Sequence, residues 1–105
     1  MNATKGRIVH YTLSDQDSRA INRRRVARTQ DAAWPGGAQA HVGNATGAGD
    51  VLPMMIVQVW SDNVVNGQVY LDGNDVLWVT SVPFSETPSV PGSYVQGSWC
   101  WPPRE

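Results

Sequence analysis

Met54-Met55-Ile56-Val57-Gln58-Val59-Trp60, followed after a polar break by Val65-Asn66-Gly67-Gln68-Val69-Tyr70-Leu71-Asp72, decides the fold class. The first run is apolar at nearly every position, the pattern of a strand covered on both sides. In the second, Val65, Gly67, Val69 and Leu71 alternate with Asn66, Gln68, Tyr70 and Asp72, the pattern of a half-buried strand. Asn66-Gly67 has the composition of a type I′ turn. Placing the turn at Ser61-Asp62-Asn63 instead leaves two strands of matched length, and that placement is preferred.

Working outward, Asp72-Gly73-Asn74-Asp75 reads as a turn and Val76 to Val82 as the next strand, with Trp78 and Thr80 on one face. Pro83 to Gly92 is a loop rich in Pro and Ser. Tyr94 to Trp101 is a last strand, stopped by Pro102-Pro103. Upstream, Ala38 to Val42 is a short candidate strand, closed by a turn from Gly43 to Asp50. The first strand is Arg7 to Leu13, with Val9, Tyr11 and Leu13 on one face and Ile8, His10 and Thr12 on the other. Within this set, Trp60 and Trp78 are expected in the core, where a small β domain gains most from large aromatics. The expected fold is mainly β: a small SH3-like barrel or a curled antiparallel sheet, one domain over residues 1–105. An open sheet completed by a second subunit is the alternative.

Residues 14–37 interrupt that pattern as a helical insert. Ser14 reads as an N-cap, and Asp15 and Asp17 sit where the positive helix end favours acids. The helix is predicted from about Asp15 to about Arg28, ended by Trp34-Pro35-Gly36-Gly37. Its apolar residues Ala20, Ile21, Val26 and Ala27 form no single stripe, so it needs a partner surface or stays poorly buried.

Charge divides at the same place. Residues 1–30 hold seven basic and two acidic residues, net +5, while residues 31–105 hold one basic and seven acidic, net −6. Such a split suits an anion, or an acidic face of a second copy, on the basic segment. Long nucleic acid is not expected, because the acidic remainder repels its backbone. Cys100 is the single cysteine, so no internal disulfide or cysteine zinc cage forms. The longest apolar stretch, Val51 to Val57, is broken by Pro53 and is far short of the ~20 residues that span a bilayer. No membrane partner is expected, and without a secretory leader the expected location is the cytoplasm.

Catalytic patterns do not assemble. His10 and His41 are the only histidines and share no element; as metal ligands they would need a carboxylate from elsewhere. No nucleophile elbow or phosphate loop occurs, and the glycine-rich run Gly43 to Gly49 lacks the lysine that a phosphate loop requires. No enzyme activity and no cofactor are expected. The unusual features are Asn22-Arg23-Arg24-Arg25 and five tryptophans. Consecutive arginines point about 100° apart on a helix, so three cannot meet one phosphate, but Arg24 and Arg28 share a face. Trp34, beside Pro35, is the best candidate for an exposed ring.

Four segments carry a resemblance: Gly6-Arg7-Ile8-Val9-His10-Tyr11, Ala20-Ile21-Asn22-Arg23-Arg24-Arg25, Leu77-Trp78-Val79-Thr80-Ser81-Val82 and the ending Trp99-Cys100-Trp101-Pro102. Together they resemble a group of small tailed-bacteriophage proteins with a GRIVHY-type start and a Trp-x-Trp-Pro end. The likeness implies a phage or prophage origin and no defined activity, and it transfers no binding residue. Phage proteins of this size without catalytic sites often act by binding, and some sequester small nucleotide signals of bacterial immunity in pockets of homo-oligomers. By analogy, the first expectation is a homo-oligomeric, anti-defence sponge for a small anionic nucleotide. Arg23, Arg24 and Arg28 would take phosphates, Trp34 or Trp78 would stack a base, and His41 and Asn44 would add polar contacts. The alternative is a protein-binding module, either an inhibitor of a host protein or a minor virion component.

Overall fold

The computed structural model describes residues 3–29, 45–61, 63–73, 75–88 and 94–103. In chain order it has β1 (Ile8–Thr12), α1 (Asp15–Thr29), β2 (Val51–Ser61), β3 (Val64–Tyr70), β4 (Val76–Val82) and β5 (Trp99–Cys100). The strands form one antiparallel sheet in the order β4-β3-β2-β1-β5. It is curled but not closed, so the curled sheet replaces the barrel alternative. Its two edges approach beyond β4, where Phe84 makes a parallel bridge with Trp99. There Trp99 N–H donates to Pro83 O and Ser85 N–H to Trp99 O.

The inner face is the core. Val9, Tyr11 and Leu13 of the β1 region meet Met54 and Ile56 of β2, Val65 and Val69 of β3, Val79 and Val82 of β4, and Trp99 of β5. In β3 Val65, Gly67 and Val69 are buried as read from the sequence, but Asn66 on the other side is buried as well; β2 ends at Ser61 and β3 begins at Val64, with Asn63 at φ 68°. Gly67 lies under Met54, and a Cβ there would meet Met54 Cγ at 2.6 Å and Met55 O at 2.8 Å, so β2 and β3 approach only because that position lacks a side chain. Trp99 is fully buried, and its indole N–H donates to Asn63 O at 2.8 Å, tying β5 to the β2–β3 turn.

The insert is anchored by polarity more than by an apolar stripe. Ser14 caps α1: its Oγ accepts the Asp17 N–H, and Asp17 Oδ2 accepts the Ser14 N–H, both at 3.1 Å. Asp17 also accepts the Tyr11 hydroxyl. Ile21 is the one apolar α1 side chain fully buried among those described. Beside it, Asn22 exchanges two hydrogen bonds with the Thr46 backbone, at 2.9 and 3.0 Å, and Ser18 Oγ donates to Thr46 O. Each such bond contributes about 0.5–1.5 kcal/mol, which offsets the missing apolar stripe.

Three expectations need correction. Trp60 and Trp78 are not core: each is about three-fifths exposed, at 60% and 59%. The run Met54–Trp60 is not covered on both sides, because Met54 and Ile56 face the core while Val57 and Trp60 are exposed. The last strand is only Trp99–Cys100, since Gly97 adopts φ 76° and the chain turns just before it. The candidate strand at 38–42 lies outside the described residues. No helix among the described residues is long and apolar enough to cross a membrane.

Candidate functional site

Strand register sets what the outer face of the sheet presents. Ile8, Met55, Gln68 and Trp78 stand in one row across β1 to β4. His10 pairs with Pro53, and Tyr70 with Val76, in the row beside it. Gln58 pairs with Asn66 further along, and Trp60 lies in the irregularity between Val59 and Ser61, its indole N–H reaching Asn66 Oδ1. Towards β5 this face is covered, with Thr12 and Cys100 buried. Over β2, β3 and β4 it is open, and Ile8, Trp60, Tyr70, Val76 and Trp78 are all exposed.

No position of these two rows is Asp, Glu, Lys or Arg. An antiparallel sheet with one solvated face ordinarily alternates apolar-in with polar-out. Here the outer face carries large apolar side chains among a few polar ones such as Gln68 and Gln58, and two indoles are exposed. Five exposed side chains of these types amount to roughly 500 Å² of surface, at the upper end of what monomers leave in one patch. Trp60 is also fixed in place: its indole N–H donates to Asn66 Oδ1 at 3.0 Å, and the same oxygen accepts the Ser81 N–H at 2.8 Å. A ring held by a buried amide loses little freedom when something packs on it.

The expected arginine site is arranged differently. Arg24 Nη2 pairs with Asp75 Oδ2 at 2.8 Å and donates to Val76 O at 3.2 Å, so it joins α1 to the β3–β4 turn. Arg24 therefore already has an anion, supplied by the chain itself. Arg23 is exposed, and with Arg19, Gln16, Asp15 and Ala20 it lines a shallow cavity of about 310 Å³. Arg19 in turn pairs with Asp15 at 3.0 Å. Arg28 lies within α1, but its side chain is outside the described residues, as are Trp34, His41 and Asn44 altogether. Of the seven expected site residues, the structure thus locates the side chains of Arg23, Arg24 and Trp78. Trp78, paired with Gln68, stands on the outer face and also borders a cleft at the start of α1.

A second cleft, of about 280 Å³, lies between the start of α1 and β4, lined by Tyr11, Gln16, Asp17, residues 78–82 and Gly97. Burial, then the hydrogen bond to Asp17 and its charge, push the Tyr11 hydroxyl above its ordinary range, so it stays protonated and serves as a donor. His10 and Cys100 are cross-strand partners. His10 Nδ1 is buried with no hydrogen-bond partner among the described residues. Burial raises the Cys100 thiol above its usual value, against a smaller opposing effect of Thr87, and a protonated thiol is a poor nucleophile. Among the described residues no three His, Cys, Asp or Glu side chains converge as a metal site.

Sequence reasoning missed Ile8, Trp60, Tyr70 and Val76. The signal was present in β3, where Tyr70 falls on the polar side of the alternation, and in β2, where apolar residues occupy both sides.

Compared with known proteins, the chain matches no family model, no curated protein and no solved structure.

Proposed function

We propose that this chain is a non-enzymatic protein-binding module whose working surface is the outer face of β2, β3 and β4. The observation that carries the reading is the pair of exposed indoles, Trp60 and Trp78, on a sheet face whose two central rows hold no Asp, Glu, Lys or Arg. Interface centres are enriched in Trp and Tyr and depleted in Lys, Asp and Glu, which is the composition of this face. A phage origin, inferred from the sequence resemblance, makes an inhibitor of a host protein or a minor virion component the natural setting. The test is affinity capture from bacterial lysate with the wild-type chain and with a Trp60→Ser, Trp78→Ser variant. Specific capture lost in the variant supports the reading; equal capture by both, or none by either together with no self-association, overturns it.

Capture of a small anionic nucleotide in the host cytoplasm is the second reading. It is favoured by Arg19 and Arg23 around the exposed α1 cavity. Nucleotides released from the purified protein by heat, or a thermal shift with a nucleotide panel that Arg23→Ala abolishes, would establish it. Absence of both removes it.

A further inference from the structure

We infer that the cleft between β4 and the start of α1 binds an extended peptide segment carrying a lysine or arginine, added as one more strand to the free edge of β4. The cleft adjoins the outer face only through Trp78, so this site is separate from the docking surface proposed above and can fail without it.

The edge is the first argument. β4 ends the sheet, with β3 on one side and no strand on the other. Leu71 N–H donates to Asp75 O, and in an antiparallel ladder of this register that makes Asp75, Leu77 and Val79 the residues bonded to β3. The N–H and C=O of Val76 and Trp78 therefore point away from the sheet. Val76 O there accepts the Arg24 guanidinium at 3.2 Å, whereas the outward Trp78 backbone bonds to no described residue. Beyond Val82 the edge closes again, because Pro83 O and Ser85 N–H bond to Trp99. The stretch left open, Trp78 to Val82, is the one that lines the cleft. It holds no proline and no charged side chain, the features that ordinarily blunt a free edge.

Shape selects a single chain. Tyr11, Gln16, Asp17 and Gly97 form the opposite wall of this space of about 280 Å³. Strands in a sheet lie about 4.8 Å apart, so the edge of a second sheet would drive its next strand into that wall. One extended segment has no such neighbour. Its backbone also offers donors and acceptors in the alternation that a strand edge presents, the basis of strand addition in peptide recognition.

Charge selects the side chain. Asp17 is the only charged residue among those lining the cleft. The Tyr11 hydroxyl and the Ser14 N–H both go to its Oδ2, and no described group donates to Oδ1. One carboxylate oxygen is thus left for a cation. The exposed Trp78 ring borders the same cleft and suits an ammonium or guanidinium through its π face. A phosphate would meet the carboxylate here and no basic side chain, so the anionic class belongs to the Arg19 and Arg23 cavity and not to this one.

An NMR titration of the full chain with blocked heptapeptides of alternating Val and Thr, with Arg, Gln or Glu at the centre, tests this. The Arg peptide should move the amides of Trp78, Thr80 and Asp17 and bind roughly fivefold or more tighter than the Glu peptide. Asp17→Asn should erase the preference for Arg over Gln while the Gln peptide still binds. N-methylation of alternate peptide residues should abolish binding in one set and spare it in the other, because only one side of an extended backbone meets β4. No response at these amides with millimolar Arg peptide overturns the inference. So do methylated sets that behave alike, or N-acetylarginine amide binding as tightly as the peptide, since either means a cation pocket without strand addition. Trp60→Ser should leave the titration unchanged. If capture from lysate needs Trp60 and Trp78 while the Arg peptide fails to bind, the outer-face reading survives and only the cleft is excluded.

Discussion

Asn66 Oδ1 accepts the Ser81 backbone N–H at 2.8 Å, at the point where β3 and β4 lose register between Val65 and Gly67. Ser81 has φ 52°, a left-handed conformation uncommon for a non-glycine residue. The same oxygen takes the Trp60 indole N–H. One carboxamide, 9% exposed, thus holds the irregularity in β4 and orients a ring on the outer face.

Asn66→Ala strands both donors. The expected loss is about 1–3 kcal/mol, the usual cost of leaving partly buried polar groups unpaired. Urea denaturation checks it: the midpoint falls while the slope is unchanged. Partner binding should weaken as well, since Trp60 is released.

Gly67→Ala should destabilise by about 1–3 kcal/mol, the range for overpacking. The Met54 side chain can yield, but Met55 O, 2.8 Å from the added carbon, belongs to the paired backbone. For that reason Met54→Ala does not rescue it: the double variant should melt below Met54→Ala alone.

Tyr11 links stability to alkaline pH. Its hydroxyl is raised above the ordinary value of about 10, so the unfolded chain releases this proton at a pH where the folded chain keeps it. The folded state then binds more protons, and stability falls as pH rises. The contribution is fully present below about pH 10 and is lost progressively above it. Denaturation midpoints across about pH 9 to 11 should drop more steeply for wild type than for Tyr11→Phe.

Arg24 and Asp75 form a half-exposed pair, with side chains 47% and 17% accessible. A double-mutant cycle with Arg24→Ala and Asp75→Ala should give a coupling of about 1 kcal/mol or less, shrinking as salt is raised. Arg23→Ala, on the exposed side of α1, should leave stability within about 0.5 kcal/mol.

The sheet was legible because its inner face obeys period two: Val9, Tyr11 and Leu13, then Val65, Val69 and Val79, need only burial to be read. The helix was legible through Ser14 and Asp17. What the sequence concealed was the state of the outer face. A strand apolar on both sides, such as Met54–Trp60, has the same composition whether a layer of the same chain covers it or a partner does. Composition therefore places Trp60 and Trp78 inside, whereas the fold leaves each about three-fifths exposed, at 60% and 59%. The Arg24–Asp75 pair was hidden for another reason. It spans 51 positions, and no local pattern pairs a helix arginine with a distant turn. Departures from local rules of this kind cluster where a surface has work to do.

Affinity capture from bacterial lysate, comparing wild type with a Trp60→Ser, Trp78→Ser variant and an Arg19→Ala, Arg23→Ala variant, tests the central claim, that the outer face of β2–β4 is the contact surface, most directly. The tryptophan variant should lose the captured protein and the arginine variant should keep it. Capture that survives the loss of both rings, or that falls only with the arginines, would contradict it.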